Sequence, residues 1–296
     1  MSGQEQVVVA VHNLHRTFGT KVALANVSLD IQRGGVYGLV GGNGAGKTTL
    51  IRHILGLFTP QSGSVMVFGI NPVVNPPAVL SRIGFLAEDR DIPGWMRVHE
   101  LLSYTRAFYP DWDPAFAEEL RDMFELPLGQ KVQSLSRGQM ARAGLLLALA
   151  HRPELLVLDE PSSGLDPVVR RDILSAIIRT VADEGRTVLF SSHLLDEVER
   201  VADRVAMLHA GRIVLDESLE QLKSKQRVMT LRFAVPQSAP PILTGAIPLS
   251  GGGKEWTCVC EDAELVRMAA GSLGVEVIGE SAASLEEIFM ARSSKG

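Results

Sequence analysis

The chain of 296 residues has very few cysteines: only Cys258 and Cys260, separated by one residue. Two thiols are too few for a structural zinc site, and such rarity is typical of a protein from a reducing compartment. If this stretch is a strand, we expect the two side chains to approach each other only where the strand alternation breaks. We therefore interpret them as small residues in a strand of a reduced cytosolic protein.

Long hydrophobic runs are also missing. The longest, residues 143–150, is far shorter than the roughly 20 residues that a membrane helix needs, and residues 7–11 are too few for a signal peptide. There is no basic excess either, since the net charge is -5, which disfavours nucleic acid as a partner. If the protein works at a membrane, we expect another chain to supply the spanning part.

What the chain does contain is an alternation of strand-like and helical segments over its first two hundred residues. Runs of β-branched or wholly apolar residues predict strands at 7–11, 22–31, 36–40, 64–68, 83–86, 155–158 and 187–190. A helix over 50–57 follows a glycine-rich turn, and a 3.6-residue period predicts two helices between residues 99 and 126, separated near Pro110 and Pro114. Wholly apolar strands between helices indicate an α/β fold with a buried parallel sheet.

The alternation of apolar strands and helical patterns ends after residue 215. The polar segment 217–227 predicts a helix or a linker, and beyond it we expect strands at 229–235, 256–260 and 275–278 with a helix at 264–273. Ser284 and Glu287 have the spacing of a capping box, which predicts the start of a last helix. The sequence thus divides into residues 1–220 and a small α+β appendix, 221–296, that carries no chemical motif.

A glycine-rich motif follows the predicted strand 36–40. Residues 41–48 match G-x-x-x-x-G-K-[ST], in which glycines let the backbone turn tightly and direct N–H groups at one anion. We expect Lys47 to reach the β- and γ-phosphates and the Thr48 hydroxyl to ligate Mg²⁺. The motif predicts a nucleoside triphosphate site. Its predicted binding residues are Gly41, Gly42, Asn43, Gly44, Ala45, Gly46, Lys47, Thr48 and Thr49.

Two acidic residues and a histidine follow apolar strands. Asp159 and Glu160 come directly after the strand 155–158, and His193 lies just after the strand 187–190. Parallel strands end at one sheet edge, where α/β folds bind ligands. We expect Asp159 to hold Mg²⁺ through its water shell and Glu160 to orient or deprotonate the attacking water. His193 would donate a hydrogen bond to the γ-phosphate or to the water.

A short polar step, residues 135–139 with the sequence LSRGQ, precedes the apolar run 144–150. Its plain interpretation is a helix start with Ser136 as the N-cap. Together with the preceding motifs, however, LSRGQ resembles the signature LSGGQ of the nucleotide-binding subunit of an ABC transporter, with Arg137 replacing a glycine. Residues 163–166, SGLD, resemble the D-loop of that family, His193 its switch histidine, and Phe18 the aromatic residue that stacks on adenine.

The resemblance covers about residues 5–215 and implies a P-loop NTPase core. It implies an N-terminal antiparallel β subdomain and an inserted α-helical subdomain at about residues 90–150. The cofactors it implies are ATP and Mg²⁺. In the family the signature meets ATP bound on the other subunit, so the resemblance adds Ser136, Gly138, Gln139 and Asp166 to the nucleotide-binding residues.

Two further positions depart from the family pattern. Gly42 replaces the usual proline, which should loosen the loop without altering its hydrogen-bond donors. Glu88 stands where the family has a glutamine that senses Mg²⁺ and contacts the membrane subunit. A carboxylate still suits Mg²⁺, and we count Glu88 with Thr48 and Asp159 as the metal ligands, but it adds repulsion toward ATP.

The function implied is an ATPase that powers a transporter. Since residues 221–296 resemble the appendix of ABC-2-type exporter ATPases, we expect export. The partners implied are a separately encoded integral membrane permease and a second ATPase subunit, most economically an identical copy. ATP binding would close this dimer and hydrolysis would open it. These partners would place the chain in the cytoplasm, peripheral on the inner face of the cell membrane.

Other classes fit less well. DNA-repair relatives carry long coiled-coil insertions, whereas only about ninety residues without heptads separate Lys47 from Ser136. Translation-factor relatives usually hold two such domains, and P-loop kinases or GTPases have no reason to carry LSRGQ. The predicted helical subdomain holds several aromatic residues, which either pack its core or, at Trp95 or Trp112, line a groove for a cytoplasmic helix of the permease. These aromatics are Trp95, Tyr104, Phe108, Tyr109 and Trp112.

Overall fold

The computed structural model describes residues 7–89, 92–239 and 242–293. The chain forms two compact units, Met1–Ile213 and Val214–Gly296. The predicted domains 1–220 and 221–296 stay a prediction. Within the described ranges, no helix is long and apolar enough to cross a membrane.

Over the first two hundred residues strands and helices alternate as the sequence predicts, and two more strands follow up to residue 218. The strands are β1 (Val7–Phe18), β2 (Lys21–Gln32), β3 (Gly35–Val40), β4 (Ser62–Val67), β5 (Ile83–Leu86), β6 (Leu155–Asp159), β7 (Thr187–Ser192), β8 (Arg204–His209) and β9 (Arg212–Ser218). The helices are α1 (Lys47–Ile54), α2 (Pro76–Leu80), α3 (Val98–Arg106), α4 (Pro114–Met123), α5 (Arg137–Leu149), α6 (Pro167–Glu184) and α7 (Leu195–Val201).

Two strands were missed by the sequence analysis, β8 and β9. They are joined by a tight turn in which Ala210 and Gly211 have φ angles of 46° and 75°. A glycine turn between two apolar runs is a strand-pair signal, so the information was present in the sequence.

The large sheet has six strands in the order β5-β6-β7-β3-β8-β9. The pairs β5–β6, β6–β7, β7–β3 and β3–β8 are parallel. Every residue of β6 and β7 is buried, which confirms the buried parallel sheet predicted from their apolar sequences. Val40 pairs with Ser192 and Asp159 with Ser191, so β3, β6 and β7 end at the same edge.

An antiparallel sheet of order β2-β1-β4 accompanies the parallel one. Its buried Val9 and Leu24 share one core with Leu39 of β3, Ile51 of α1 and Val157 of β6. The antiparallel β subdomain implied by the family resemblance is therefore present, and it packs directly beside the glycine-rich loop.

Three helices, α3, α4 and α5, lie within the range predicted as helical. Helix α4 begins with Pro114 in its first turn, and Asp113 caps it by accepting a hydrogen bond from the Phe116 N–H at 3.0 Å. The sequence left two interpretations of the aromatic residues open: packing of the helical core, or exposure in a groove for the permease. Different residues fit each of them. Tyr109 stacks on His151 with ring centroids 3.8 Å apart, whereas Trp95 is 70% exposed.

The second unit contains a sheet of order β11-β10-β12 with antiparallel pairs and three helices. Ser284 and Glu287 form the predicted capping box at the start of its last helix. Its elements are α8 (Leu219–Lys225), β10 (Arg227–Gln237), β11 (Ala246–Cys260), α9 (Ala263–Ser272), β12 (Glu276–Ala282) and α10 (Leu285–Ser293).

The expectation about the two cysteines is wrong. Cys258 pairs with Met229 and Cys260 with Arg227 in an unbroken register, yet the two sulfur atoms lie 3.7 Å apart. Alternate residues of a regular strand point to the same face, so no break in the alternation is needed. Both thiols are buried in the core of the second unit.

Candidate active site

The glycine-rich loop connects β3 to α1. A Cβ at Gly41 would lie 2.3 Å from the Leu208 carbonyl oxygen, and one at Gly46 would lie 2.5 Å from that of Ala23. Gly46 also has a φ of 113°, so these two positions require glycine. A Cβ at Gly42 would meet nothing within 4 Å, so close packing does not require glycine at this position.

Lys47 is the first residue of α1 and is almost fully buried. Its ammonium group donates to the Gly41 carbonyl oxygen at 2.6 Å and lies 2.9 Å from Glu160 Oε1. The Lys47 and Glu160 side chains are each only 6% exposed. A buried cation beside a turn of free N–H groups at a helix start is suited to bind phosphate.

Glu160 stands at the end of β6 with an unusual positive φ of 47°. Its backbone N–H donates to Ser191 Oγ at 3.0 Å, and that hydroxyl donates to Asp159 Oδ1 at 2.6 Å. His193 Nδ1 lies 2.7 Å from Glu160 Oε2. The structure thus brings together Lys47, Asp159, Glu160 and His193. Sequence analysis missed Ser191, although its place at the end of β7, two residues before His193, was a usable signal.

A cleft of about 330 Å³ opens beside this cluster. Phe18 lines it with a side chain that is 44% exposed. Lys21 and Ala23 of β2 were not singled out from the sequence, yet they also line the cleft. The other lining residues are Asn43, Gly44, Ala45, Gly46, Lys47, Thr48, Thr49, Glu88 and Glu160.

A second cleft lies on the other side of Thr48. Thr48, Glu88 and Asp159, the three predicted metal ligands, all line it. One hydroxyl and two carboxylates are hard oxygen donors, which suit Mg²⁺, an ion that keeps several waters and needs few protein ligands. The residues present therefore fit the expected ion.

The pKa of Glu88 is raised, first by partial burial and then by the negative charges of Glu160, Asp159 and Asp89. The same crowding of carboxylates should oppose a triphosphate. We expect Glu88→Gln to preserve or raise the affinity for Mg-ATP, measured by equilibrium titration of the purified chain. A large loss of affinity would contradict this and give the carboxylate an essential role of its own.

The difference in stability between Glu88→Gln and the wild type should depend on pH. Because the pKa of Glu88 is raised, the folded chain favours the protonated form, and this preference is lost as pH rises through the folded pKa. Glu88→Gln should match the wild type at low pH and unfold at a higher temperature above that pKa. Glu154, whose pKa is lowered chiefly by a hydrogen bond from Arg82, is the matched control. Glu154→Gln should instead lose stability above the ordinary glutamate pKa.

The LSRGQ segment forms the start of α5. Ser136 Oγ accepts from the Gln139 N–H at 3.2 Å, and the Gln139 side chain accepts from the Ser136 N–H at 3.0 Å, so the predicted N-cap is confirmed. A Cβ on Gly138 would lie 2.7 Å from Val169 and 3.8 Å from Asp166 Oδ2. Asp166 itself caps the start of α6 through the Val168 and Val169 N–H groups.

Ser136, Gly138, Gln139 and Asp166 therefore form one surface. The residues that line the two clefts in the described part of the chain do not include them. Arg137 is exposed, and its guanidinium lies 3.8 Å from where a Cβ of Gly164 would stand. Segments 135–139 and 163–166 thus lie side by side, and Ser136, Gly138, Gln139 and Asp166 do not line the Lys47 cleft.

A buried lysine at a glycine-rich helix start, with two acids at the end of a neighbouring parallel strand, defines a P-loop nucleotide-binding protein. Residues 24–163 match the family model described as ABC transporter. The chain is 32% identical to the bacitracin transport ATP-binding protein BcrA of Bacillus licheniformis, covering 74% of this chain and 72% of that protein.

A second relative is the ABC transporter ATP-binding protein YtrB of Bacillus subtilis. It is 28% identical over 96% of this chain and 98% of its own length. Among solved structures, an ATP-binding subunit of an ABC transporter matches with a TM-score of 0.67 and 27% identity, covering 73% of this chain and 92% of that chain. The chain belongs to the ABC transporter family, as one of its ATP-binding, ATP-hydrolysing subunits.

These findings confirm the P-loop NTPase fold, ATP as the nucleotide, and the transporter ATPase function predicted from the sequence. The roles assigned to individual site residues stay predictions.

Proposed function

We propose that this chain powers an ABC-2-type exporter through a separate membrane permease, on the cytoplasmic face of the membrane. The observation that carries the proposal is the division of the site into two surfaces, the Lys47 cleft and the Ser136–Asp166 surface, which one chain does not bring together. A second subunit would supply the missing half. The full-length likeness to YtrB, an ABC transporter ATP-binding protein, includes the C-terminal unit and supports the transporter role of the whole chain. Support for export comes from the likeness to a bacitracin transport protein.

Within one chain, the loop 41–49 and Lys47 hold the phosphates, and Phe18 stacks on adenine. Thr48, Asp159 and Glu88 would hold Mg²⁺, which when bound would neutralise charge on the phosphate oxygens. Lys47 moves no proton: it orients the triphosphate beside Glu160. Ser191 fixes the backbone of Glu160 and the carboxylate of Asp159 through one hydroxyl.

Glu160 takes the proton from the attacking water. Its carboxylate is held from one side by Lys47 and from the other by His193, so it has a single orientation in a site that excludes solvent. With His193 Nδ1 donating to Glu160, its Nε2 would accept from the water in the neutral ring, or donate to the γ-phosphate in the protonated ring. His193 thereby couples contact with the γ-phosphate to the position of Glu160, the catalytic base.

The second surface serves the other subunit of a homodimer. Ser136, Gly138, Gln139 and Asp166 of one copy would meet ATP held by Lys47 of the other copy. ATP then bridges the two chains, so its binding closes the dimer and its hydrolysis removes the bridge. Arg137 would add a positive charge to this seam.

The exposed aromatic residues of the helical segment are the proposed contact with the permease. Trp95 and Phe108 are 70% and 63% exposed, whereas Trp112 is half-buried. We expect Trp95→Ala with Phe108→Ala to abolish retention of the tagged chain by membranes that contain its permease, with ATPase activity of the isolated chain unchanged. Sedimentation with membranes and identification of the co-purified membrane protein measure this.

Val74 gives the matched control, since it is an apolar side chain of the same unit that is 79% exposed. Val74→Ala should remain bound to the membranes. Undiminished membrane retention of the aromatic variant would remove the proposed docking surface. If the wild-type chain co-purified with no polytopic membrane protein, the transport proposal itself would be wrong.

A further inference from the structure

Phe18 is an exposed residue of the ATP cleft, and its ring is contacted by residues outside the cleft. The Arg16 guanidinium carbon lies 4.7 Å from the centroid of the Phe18 ring and 4.9 Å from that of Phe58. The two rings meet edge to face with centroids 5.8 Å apart. The cationic guanidinium of Arg16 therefore contacts two aromatic rings at once. It is attracted electrostatically to the π-electrons of both rings.

The cluster joins two segments that are distant in sequence. Arg16 also donates to the Thr59 carbonyl oxygen at 3.4 Å. Gln61 Oε1 accepts from the Thr17 N–H at 2.8 Å and from the Thr17 hydroxyl at 3.1 Å. The end of β1, which carries Phe18, is thus fastened to the chain that follows α1.

Helix α1 connects this cluster to the phosphate loop. Its first residue is Lys47, and near its other end the ring of His53 meets Phe58 edge to face with centroids 5.5 Å apart. Burial, with a smaller contribution from Arg16, lowers the pKa of His53, so this ring stays neutral beside the guanidinium. One rigid helix therefore sets both the phosphate cradle and the support of the Phe18 ring.

Arg16 and Phe58 do not line the ATP cleft, whereas Phe18 does. Phe58 does line the second cleft, together with Thr48 and Asp159, so Arg16 is the residue whose change tests the support of the ring alone. An exposed ring at the end of a strand would otherwise lose rotamer freedom when a base stacks on it, and that loss weakens binding. The guanidinium covers one face of the ring and holds its orientation before the base arrives. The free part of the ring is then directed at the cleft.

We propose that Arg16 and Phe58 are positioning residues that hold the Phe18 ring as a platform for the adenine base. This inference rests on the proposed adenine contact of Phe18. The adenine contact at Phe18 and the phosphate contacts of the Lys47 loop can be tested independently, because inorganic triphosphate has the phosphates of ATP but no base.

The test compares binding of Mg²⁺ with a non-hydrolysable ATP analogue and with inorganic tripolyphosphate, by calorimetry on the full chain. Arg16→Met keeps the apolar stem and removes the cation. It should raise the Kd of the ATP analogue about three- to tenfold and leave that of tripolyphosphate unchanged. Phe58→Leu should act in the same direction, and Arg16→Lys should restore most of the affinity. Arg106→Met, at an exposed arginine of α3, is the control and should change neither Kd.

A Phe18→Ala background separates this inference from the proposal beneath it. Phe18→Ala should raise the Kd of the ATP analogue, and adding Arg16→Met to it should have no further effect. If Phe18→Ala weakens analogue binding but Arg16→Met does not, the positioning role is wrong and the adenine contact stands. If Phe18→Ala has no effect, both fail. Equal weakening of tripolyphosphate by Arg16→Met would also overturn the inference, because the arginine would then act through the phosphate site or the fold.

Discussion

Glu160→Gln is expected to lower the kcat of ATP hydrolysis by about 10²–10⁴-fold while ATP binding is retained. Glutamine keeps the shape of the side chain. Its oxygen can still accept from Lys47, 2.9 Å from the carboxylate, and its amide N–H can donate to His193 Nδ1, 2.7 Å from the carboxylate, in the ring's other tautomer. It does not accept a proton from water at neutral pH. The loss therefore falls on the chemical step, which single-turnover hydrolysis measures directly.

The same variant should accumulate as an ATP-bound dimer, since the bridge formed by ATP is no longer removed. Light scattering after gel filtration, with and without Mg-ATP, measures this. Glu119→Gln, which changes an exposed acid paired with Arg179, is the control and should hydrolyse ATP at the wild-type rate. A variant that binds ATP but remains monomeric would count against the dimer mechanism.

Lys47→Met should lose ATP binding and also destabilise the fold. Loss of one charged hydrogen-bond donor to phosphate weakens binding by about 1.5–3 kcal/mol, or roughly ten- to a hundredfold. It also leaves the 6%-exposed carboxylate of Glu160 without its cation. Removing one partner of a buried ion pair typically costs about 3–5 kcal/mol, and the low end applies here because His193 still contacts the acid.

A double variant separates these two effects. Lys47→Met with Glu160→Gln removes the orphaned charge, so it should regain most of the lost stability without regaining ATP binding. Thermal unfolding and nucleotide titration of the three variants measure this. If the double variant is no more stable than Lys47→Met alone, the pair does not carry the electrostatic coupling that its burial indicates.

The site motifs were readable from sequence because their function requires particular backbone shapes over a few residues. Gly41 and Gly46 are such positions: any side chain there would collide with a carbonyl group of a neighbouring segment. The strands β6 and β7 were also predictable from a short stretch. A parallel strand that is buried on both faces is apolar at nearly every position, so it appears in the sequence as a near-continuous apolar run. The N-cap at Ser136 and the capping box of Ser284 with Glu287 likewise follow from a few neighbouring residues.

The contacts between distant segments were not readable in this way. Ser191 was overlooked because a serine at a strand end has no special pattern until β7 pairs with β6 and brings it to Asp159. The support of Phe18 by Phe58 depends in the same way on where the chain after α1 meets the end of β1. The prediction about the cysteine pair was wrong for a simpler reason: side chains two residues apart on a regular strand already point to the same face.

By itself, the sequence determined that this protein is an ATP-binding subunit, and it predicted a phosphate loop, a metal-binding acid, a base and a separate signature segment. These are local patterns, each specified by neighbouring residues and the period of its own element. Only the tertiary structure decided which of them meet. The parallel register of β3, β6 and β7 places Lys47, Glu160 and His193 within hydrogen-bond reach, and it leaves Ser136 on another surface. Register is fixed by packing between strands that are far apart in the chain, which no short stretch of sequence encodes.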